Sequence, residues 1–312
     1  MLFGNLLLYI LAFIAIWVGA GFIVSSVDRF SKRLRLSSFA VSFVILGLLT
    51  STPEFAVGLT AVAEGRPQVF IGNLIGGIPV IFLFVIPILA IFGNGVKLNH
   101  DFDRQHLLVS LGVIAIPSVA LLDKKVSFFE GIIFVFLYIM LILLVEKKRG
   151  FFDRANTEVL NIKAYSYKDL IKILAGIGIV FVASQLIVDK TLYFSSIFNI
   201  PAFYISLIAL SLGTNLPELS LAIRTVGLGK KSIAFGDYMG SAAANTLLFG
   251  IFTLLSGGEV LAVNSFFAVF LFVVGGLTLF YFLSKPEGII SRRSGIILLC
   301  LYVLFVLVQF WR

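Results

Sequence analysis

Two short segments place acids where acids are costly. Glu54 is the sole charge between residues 36 and 63, in LGLLTSTPEF (46–55), and Glu218 is the sole charge between 191 and 223, in LSLGTNLPEL (210–219). A carboxylate at hydrocarbon depth costs at least a few kcal/mol unless it meets a cation, a proton or hydrogen-bond donors. Thr50 lies four residues before Glu54 and Thr214 four before Glu218, so each pair shares a helical face, with Ser51 and Asn215 one position round. Pro53 and Pro217 each remove an amide donor, which is expected to free the carbonyl of Leu49 or Gly213. Downstream, Asp237, Ser241 and Asn245 recur every four residues in GDYMGSAAANTLLFG; Asn73 opens the shorter GNLIGGIP, where Pro79 interrupts the helix. Hydroxyl, amide, carboxylate and main-chain oxygens form a ligand set for hard cations, calcium or sodium, or for protons. The bland alternatives are protonated acids that bridge helices and glycines that merely pack.

Softer chemistry has no residues to run on. The single cysteine, Cys300, sits in an apolar run, and His100 and His106 lie near a basic loop outside both motifs. No nucleophile with a base, no histidine cluster and no phosphate loop is present, so the chain is not read as an enzyme and no resident cofactor is expected.

Sliding the sequence against itself by 164 residues aligns both motifs without a gap. Over 46–81 against 210–245, nine pairs are identical, among them Thr50/Thr214, Pro53/Pro217, Glu54/Glu218, Gly72/Gly236 and Gly76/Gly240. At two places the copies part: Gly77 and Ile81 stand opposite Ser241 and Asn245.

The elements that carry these residues are membrane spans. Sixty percent of the 312 residues are apolar and 13% charged, about half the charge of an average soluble domain, with a mean hydropathy of +1.09. Ten apolar stretches are expected: one from the start of the chain, then near 37–63, 68–92, 105–122, 127–145, 169–188, 201–227, 232–256, 261–283 and 293–311. They predict an all-α polytopic membrane protein with a five-helix repeat at 1–146, a linker at 147–168 and a second repeat at 169–312. A repeat with an odd number of crossings places its second copy upside down, the architecture of many secondary transporters. Of the net charge of +8, alternate loops take unequal shares: eighteen Lys and Arg on one side, five on the other. The positive-inside rule then puts both termini outside the cytoplasm and assigns the basic excess to orientation in a cell membrane, not to nucleic acid. Arg224 is read as snorkelling to the basic side, and Glu64 and Glu130 as interfacial.

The paired T-x-x-P-E motifs, each followed by a GN/GD-xxG segment, resemble the two alpha repeats of the sodium/calcium exchanger family within the cation/calcium antiporters. The resemblance spans nearly the whole chain and is sharpest over 46–81 and 210–245. It implies a secondary antiporter that exchanges calcium for sodium by alternating access, with the ions and the bilayer as its partners. By the same resemblance Thr50, Ser51, Glu54, Thr214, Glu218, Ser241 and Asn245 match ion-ligand positions, Asn215 stands where the family often has Ser, and the first and sixth helices form a sliding gate. Gly77 and Ile81 depart from the pattern and remove two side-chain ligands. Exchange of calcium or a monovalent cation for protons, and a transport-inactive or channel-like protein of the same architecture, are the alternatives that this departure keeps open.

Overall fold

Hydrocarbon offers no partner for backbone N–H and C=O groups, so a chain this apolar must satisfy them inside helices. The computed structural model describes residues 2–33, 43–44, 47–97, 104–147, 167–219, 231–257, 260–261, 266–284 and 289–310. Arg224, His100 and residues 148–166 of the expected linker lie outside them. Among the described residues, seven helices are long and apolar enough to cross a membrane; Ala202–Thr214 and Phe267–Leu283 are shorter apolar helices. The architecture is an all-α polytopic membrane fold.

Burial sorts the helices into a centre and a periphery. Helix α1 (Leu2–Arg33) and helix α8 (Tyr167–Phe198) run against each other. Only 22% and 33% of their most apolar stretches are buried, against 83% in Pro67–Phe92 and 78% in Phe235–Leu255. The outer helices show Leu, Ile and Val to the surroundings, which suits lipid, while the inner two carry the buried Asn73 and Asp237, Ser241 and Asn245. Gly19 permits the close α1–α8 approach: a Cβ there would lie 3.0 Å from the Gly176 carbonyl. Polar bonds fasten the pair, from Lys190 Nζ to Asn5 Oδ1 at 2.8 Å and between the Tyr9 and Thr191 hydroxyls at 2.9 Å.

Both motif-bearing spans are interrupted. Helix α2 (Gly47–Thr50) ends at Ser51, where ψ flattens to 8°, and α3 (Thr52–Ala63) restarts with Pro53 in its first turn. In the second copy α9 (Ala202–Ile205) widens into a π-helical segment at Ser206–Leu210, followed by α10 (Ser211–Thr214). Asn215 then flattens to ψ 15°, and residues 216–219 are helical again. Residues 43 and 44 are also π-helical, at the offset position of that widening. Proline accounts for the breaks: it tolerates the first turn of a helix and disrupts an interior.

Two central helices face these breaks. Helix α4 (Pro67–Pro79) passes through a π-helical turn (Val80–Val85) into α5 (Ile86–Phe92), with Pro79 at the junction. Helix α11 (Lys231–Leu255) continues unbroken. Their glycines allow backbone contact, since a Cβ on Gly76 would run into the carbonyl of Leu207 and one on Gly240 into the carbonyl of Phe43. Leu207 and Phe43 are themselves 164 residues apart.

The remaining helices are α6 (Arg104–Ala120), α7 (Phe128–Lys147), α12 (Phe267–Leu283) and α13 (Arg292–Phe310). Between them lie four two-residue strands that the all-α expectation lacked: β1 (Val96–Lys97), β2 (Lys125–Val126), β3 (Val260–Leu261) and β4 (Ile289–Ile290). Strand β1 pairs antiparallel with β4, and β2 with β3, so each ribbon joins one strand from each sequence half. The offset of 164 turns β1 into β3 and β2 into β4, and converts the register Val96–Ile290 into Val260–Val126. Helix α6 separates β1 from β2, so the ribbons sit at its opposite ends.

Candidate ion-binding site

The breaks at Ser51 and Asn215 turn hydroxyl and amide groups inward, toward α4 and α11. All ten residues singled out by the sequence are buried, none more than 4% exposed. In the first copy Ser51 Oγ donates to the Gly47 carbonyl at 2.8 Å and Thr50 Oγ1 reaches the same oxygen at 3.3 Å. In the second, Asn215 Nδ2 donates to the Ser211 carbonyl at 2.8 Å and Thr214 Oγ1 reaches it at 3.4 Å. The carbonyls that collect these donors are those of Gly47 and Ser211, not the Leu49 and Gly213 carbonyls that the prolines were expected to free. The signal was available: a Ser hydroxyl in a helix commonly bonds back to the carbonyl four residues before it.

Each copy also bonds to the helix of the other. Thr50 Oγ1 donates toward Asp237 Oδ1 at 3.3 Å, and Thr214 Oγ1 to Asn73 Oδ1 at 3.0 Å. Ser241 Oγ donates to Glu218 Oε1 at 2.6 Å and lies 2.8 Å from Thr50 Oγ1 and 3.2 Å from Ser51 Oγ. Asn215 Nδ2 donates to Glu54 Oε1 at 3.1 Å, and Asn245 Nδ2 to the Leu74 carbonyl at 3.5 Å. A Cβ on Gly77 would lie 2.8 Å from Asn245 Nδ2 and 3.4 Å from Asn215 Nδ2. The Asn215 amide is oriented by its two acceptors, which leave no choice about which end carries hydrogen.

Counting hydrogens shows what this arrangement lacks. Thr50, Ser51 and Ser241 bring one hydroxyl hydrogen each, while the acceptors they surround are the Gly47 carbonyl, Asp237 Oδ1 and Glu218 Oε1. None of these hydroxyl hydrogens is left over for the second carboxylate oxygens: Glu54 Oε2, Glu218 Oε2 and Asp237 Oδ2 are buried without a donor among the described residues. Orphaned buried acceptors of this kind call for positive charge. No trio of His, Cys, Asp and Glu forms a metal cluster among the described residues, so hydroxyl, amide and main-chain oxygens would have to complete any cation's shell. That is the donor set of a hard ion. At the outer end of α3, Glu64 is exposed. Partial burial, then the neighbouring Asp189, raises its carboxyl above the ordinary value, and Arg66 opposes them.

The sequence profile described as sodium/calcium exchanger protein matches residues 4–146 and 169–311. The chain belongs to the sodium/calcium exchanger family. Like the rest of that family it is a secondary active cation antiporter of the calcium and sodium exchanging class, an integral membrane protein and not an enzyme. Among its relatives, inner membrane protein YrbG of Escherichia coli is 25% identical, with 94% of this chain and 95% of the relative covered. The sodium/calcium exchanger MaX1 of Methanosarcina acetivorans is 23% identical, over 98% of this chain and 99% of its own. A solved structure of the sodium-calcium exchanger NCX_Mj, soaked with 10 mM Na+ and zero Ca2+, superposes with a TM-score of 0.71 at 21% identity, covering 98% of this chain and 99% of that one.

Proposed function

We propose that Glu54 and Glu218 jointly hold one calcium ion and release it in exchange for sodium. Thr50, Thr214, Ser51, Ser241 and the Gly47 carbonyl complete the oxygen set, with Asp237, Asn215, Asn245 and Asn73 positioning it. The observation that carries this reading is the orphaning of one oxygen on each of three buried carboxylates, in a cavity whose hydroxyl hydrogens are already spent. Two empty carboxylates repel each other, so occupancy by calcium, by sodium or by protons is mutually exclusive. A gate that closes only over a neutralised site couples the fluxes.

The architecture we infer for this cycle is ten spans in two oppositely oriented halves, 1–146 and 169–312, with both termini outside the cytoplasm. The reciprocal use of residues 164 apart supports it, in Thr50–Asp237 and Thr214–Asn73, in Gly240 on Phe43 and Gly76 on Leu207, and in the two ribbons. Helices α1 and α8 are the moving pair: both are peripheral, fastened to each other, and joined to α3 through the Thr60 and Ser184 hydroxyls at 3.0 Å. In proteoliposomes, calcium uptake should follow an outward sodium gradient, and either Glu54→Gln or Glu218→Gln should abolish it. Equal calcium flux with and without the gradient overturns the coupling.

One observation favours a second counter-ion. The Gly77 side of the cavity meets amide nitrogens and the fully buried Ile81 where the other side presents Ser241 and Asn245. Protons need fewer oxygens than sodium does, so uptake driven by a pH gradient alone is the companion measurement.

A further inference from the structure

Within the ion site the gap between a glutamate and a backbone carbonyl is bridged twice, by different groups. On one side Ser241 Oγ stands 2.6 Å from Glu218 Oε1 and 3.4 Å from the Gly47 carbonyl. Moving each of these residues by 164 gives Glu54, Ser211 and residue 77, which is glycine and brings no side chain. The amide of Asn215 takes over that position. Its Nδ2 donates to Glu54 Oε1 at 3.1 Å and to the Ser211 carbonyl at 2.8 Å, and it lies 3.4 Å from where a Gly77 Cβ would stand. Asn215 is 1% exposed, so bulk water does not compete for these bonds.

The two bridges are not chemically equivalent. A hydroxyl carries one hydrogen and two lone pairs, so Ser241 can turn its hydrogen aside and offer oxygen to a cation. Ser51, whose Oγ lies 2.8 Å from the same Gly47 carbonyl, can do likewise. An amide nitrogen has two hydrogens and no lone pair to offer. Both hydrogens of Asn215 are engaged, one on each acceptor. Turning the amide over would set Oδ1 against the same two oxygens with no hydrogen between them, and would forfeit two buried hydrogen bonds, one of them to a carboxylate. The Ser211 carbonyl is further occupied by Thr214 Oγ1 at 3.4 Å. A cation reaching for this pair of oxygens therefore meets a fixed group that already brings partial positive charge to them.

We propose that Asn215 Nδ2 is a built-in substitute for one counter-ion, so that each calcium is exchanged for one sodium fewer than a hydroxyl at residue 215 would allow. Resting on the calcium-for-sodium exchange proposed for this site, it assigns the stoichiometry to one residue. Full-length protein in detergent is titrated with calcium by isothermal calorimetry at a series of sodium concentrations. The slope of log apparent Kd against log sodium concentration counts the sodium ions that one calcium displaces. Asn215→Ser should raise that slope by about one, so a tenfold rise in sodium lowers the variant's calcium affinity about tenfold more than the parent's. Asn215→Asp, of the same shape without the two hydrogens, should raise it likewise in alkaline buffer, and carries the measurement if the serine variant does not fold. Helical circular dichroism checks the fold of each. Weaker calcium binding at an unchanged slope marks a purely structural amide and overturns the proposal. A parent whose calcium binding ignores sodium overturns the exchange assigned to the site itself, whereas a sodium-dependent parent with the same slope in both variants overturns only the role of Asn215.

Discussion

The two motif copies begin alike and end differently. In the second copy, α11 presents Asp237, Ser241 and Asn245 to the cavity, and Ser241 alone touches three side chains of the site. In the first copy, α4 presents Asn73 and Gly77, and the buried Ile81 follows Pro79 in the π-helical turn. The polarity of what is left unpaired also inverts: Asp237 keeps an orphan acceptor where Asn73 keeps an orphan donor, its Nδ2. Asn215 and Asn245 place amide nitrogens, not oxygens, against the Gly77 side. The two copies therefore share the scaffold and the glutamates, while negative charge and oxygen ligands are concentrated on one side. In the function we propose, a calcium ion between the glutamates draws on both copies. On the same proposal, any additional cation has only the α11 side to use.

Four sets of variants bear on this contrast, and the largest effects concern what the copies share. Gly76→Ala and Gly240→Ala each push a methyl group into a backbone carbonyl, so each should cost about 3 kcal/mol or more and lower the yield and the Tm in detergent alike. A parent-like Tm in one of them would break the equivalence of the two crossings. Next, Glu54→Gln and Glu218→Gln each remove half of the proposed charge pair. Losing one partner of a buried ion contact costs about 3–5 kcal/mol, so calcium affinity measured by isothermal titration should fall roughly 10²–10⁴-fold, with the fold intact. Asp237→Asn makes the copies match at that position; calcium binding should weaken about tenfold, and Asn73→Asp in the same background should recover part of the loss if the cavity counts charge rather than position. The smallest expected effect is the most specific. Gly77→Ser with Ile81→Asn returns oxygen to the poor side and should steepen the sodium dependence of calcium uptake by about one in Hill coefficient. An unchanged slope would show that the α4 side does not limit the number of sodium ions.

Much of the geometry was readable because rare residue types mark it. Pro and Glu repeated at one offset in an apolar chain are conspicuous, and the breaks at Ser51 and Asn215 fall two residues before the prolines that announced them. Periodicity placed Asp237, Ser241 and Asn245 on one face of α11, and the described structure buries all three against the opposite copy. What escaped depends on contacts between residues far apart in sequence. Gly47 and Ser211 collect the donors because the hydroxyl or amide four residues later folds back on them, which competes with the proline effect and cannot be ranked from the string alone. The amide wall at Gly77 forms only when residues 215 and 245 converge on residue 77. The ribbons are two residues long, far below the length at which alternation signals a strand.

Those ribbons restrict how the molecule can change shape. Each laces a loop of one half to a loop of the other, and they do so at opposite ends of α6, so pivoting the halves about their common seam would have to unzip a backbone ladder at one end or the other. Helices α1 and α8 contribute no strand to either lacing. In the cycle we propose, the stitched body stays rigid while the unstitched pair travels, and access to the cavity alternates without the glutamates parting company.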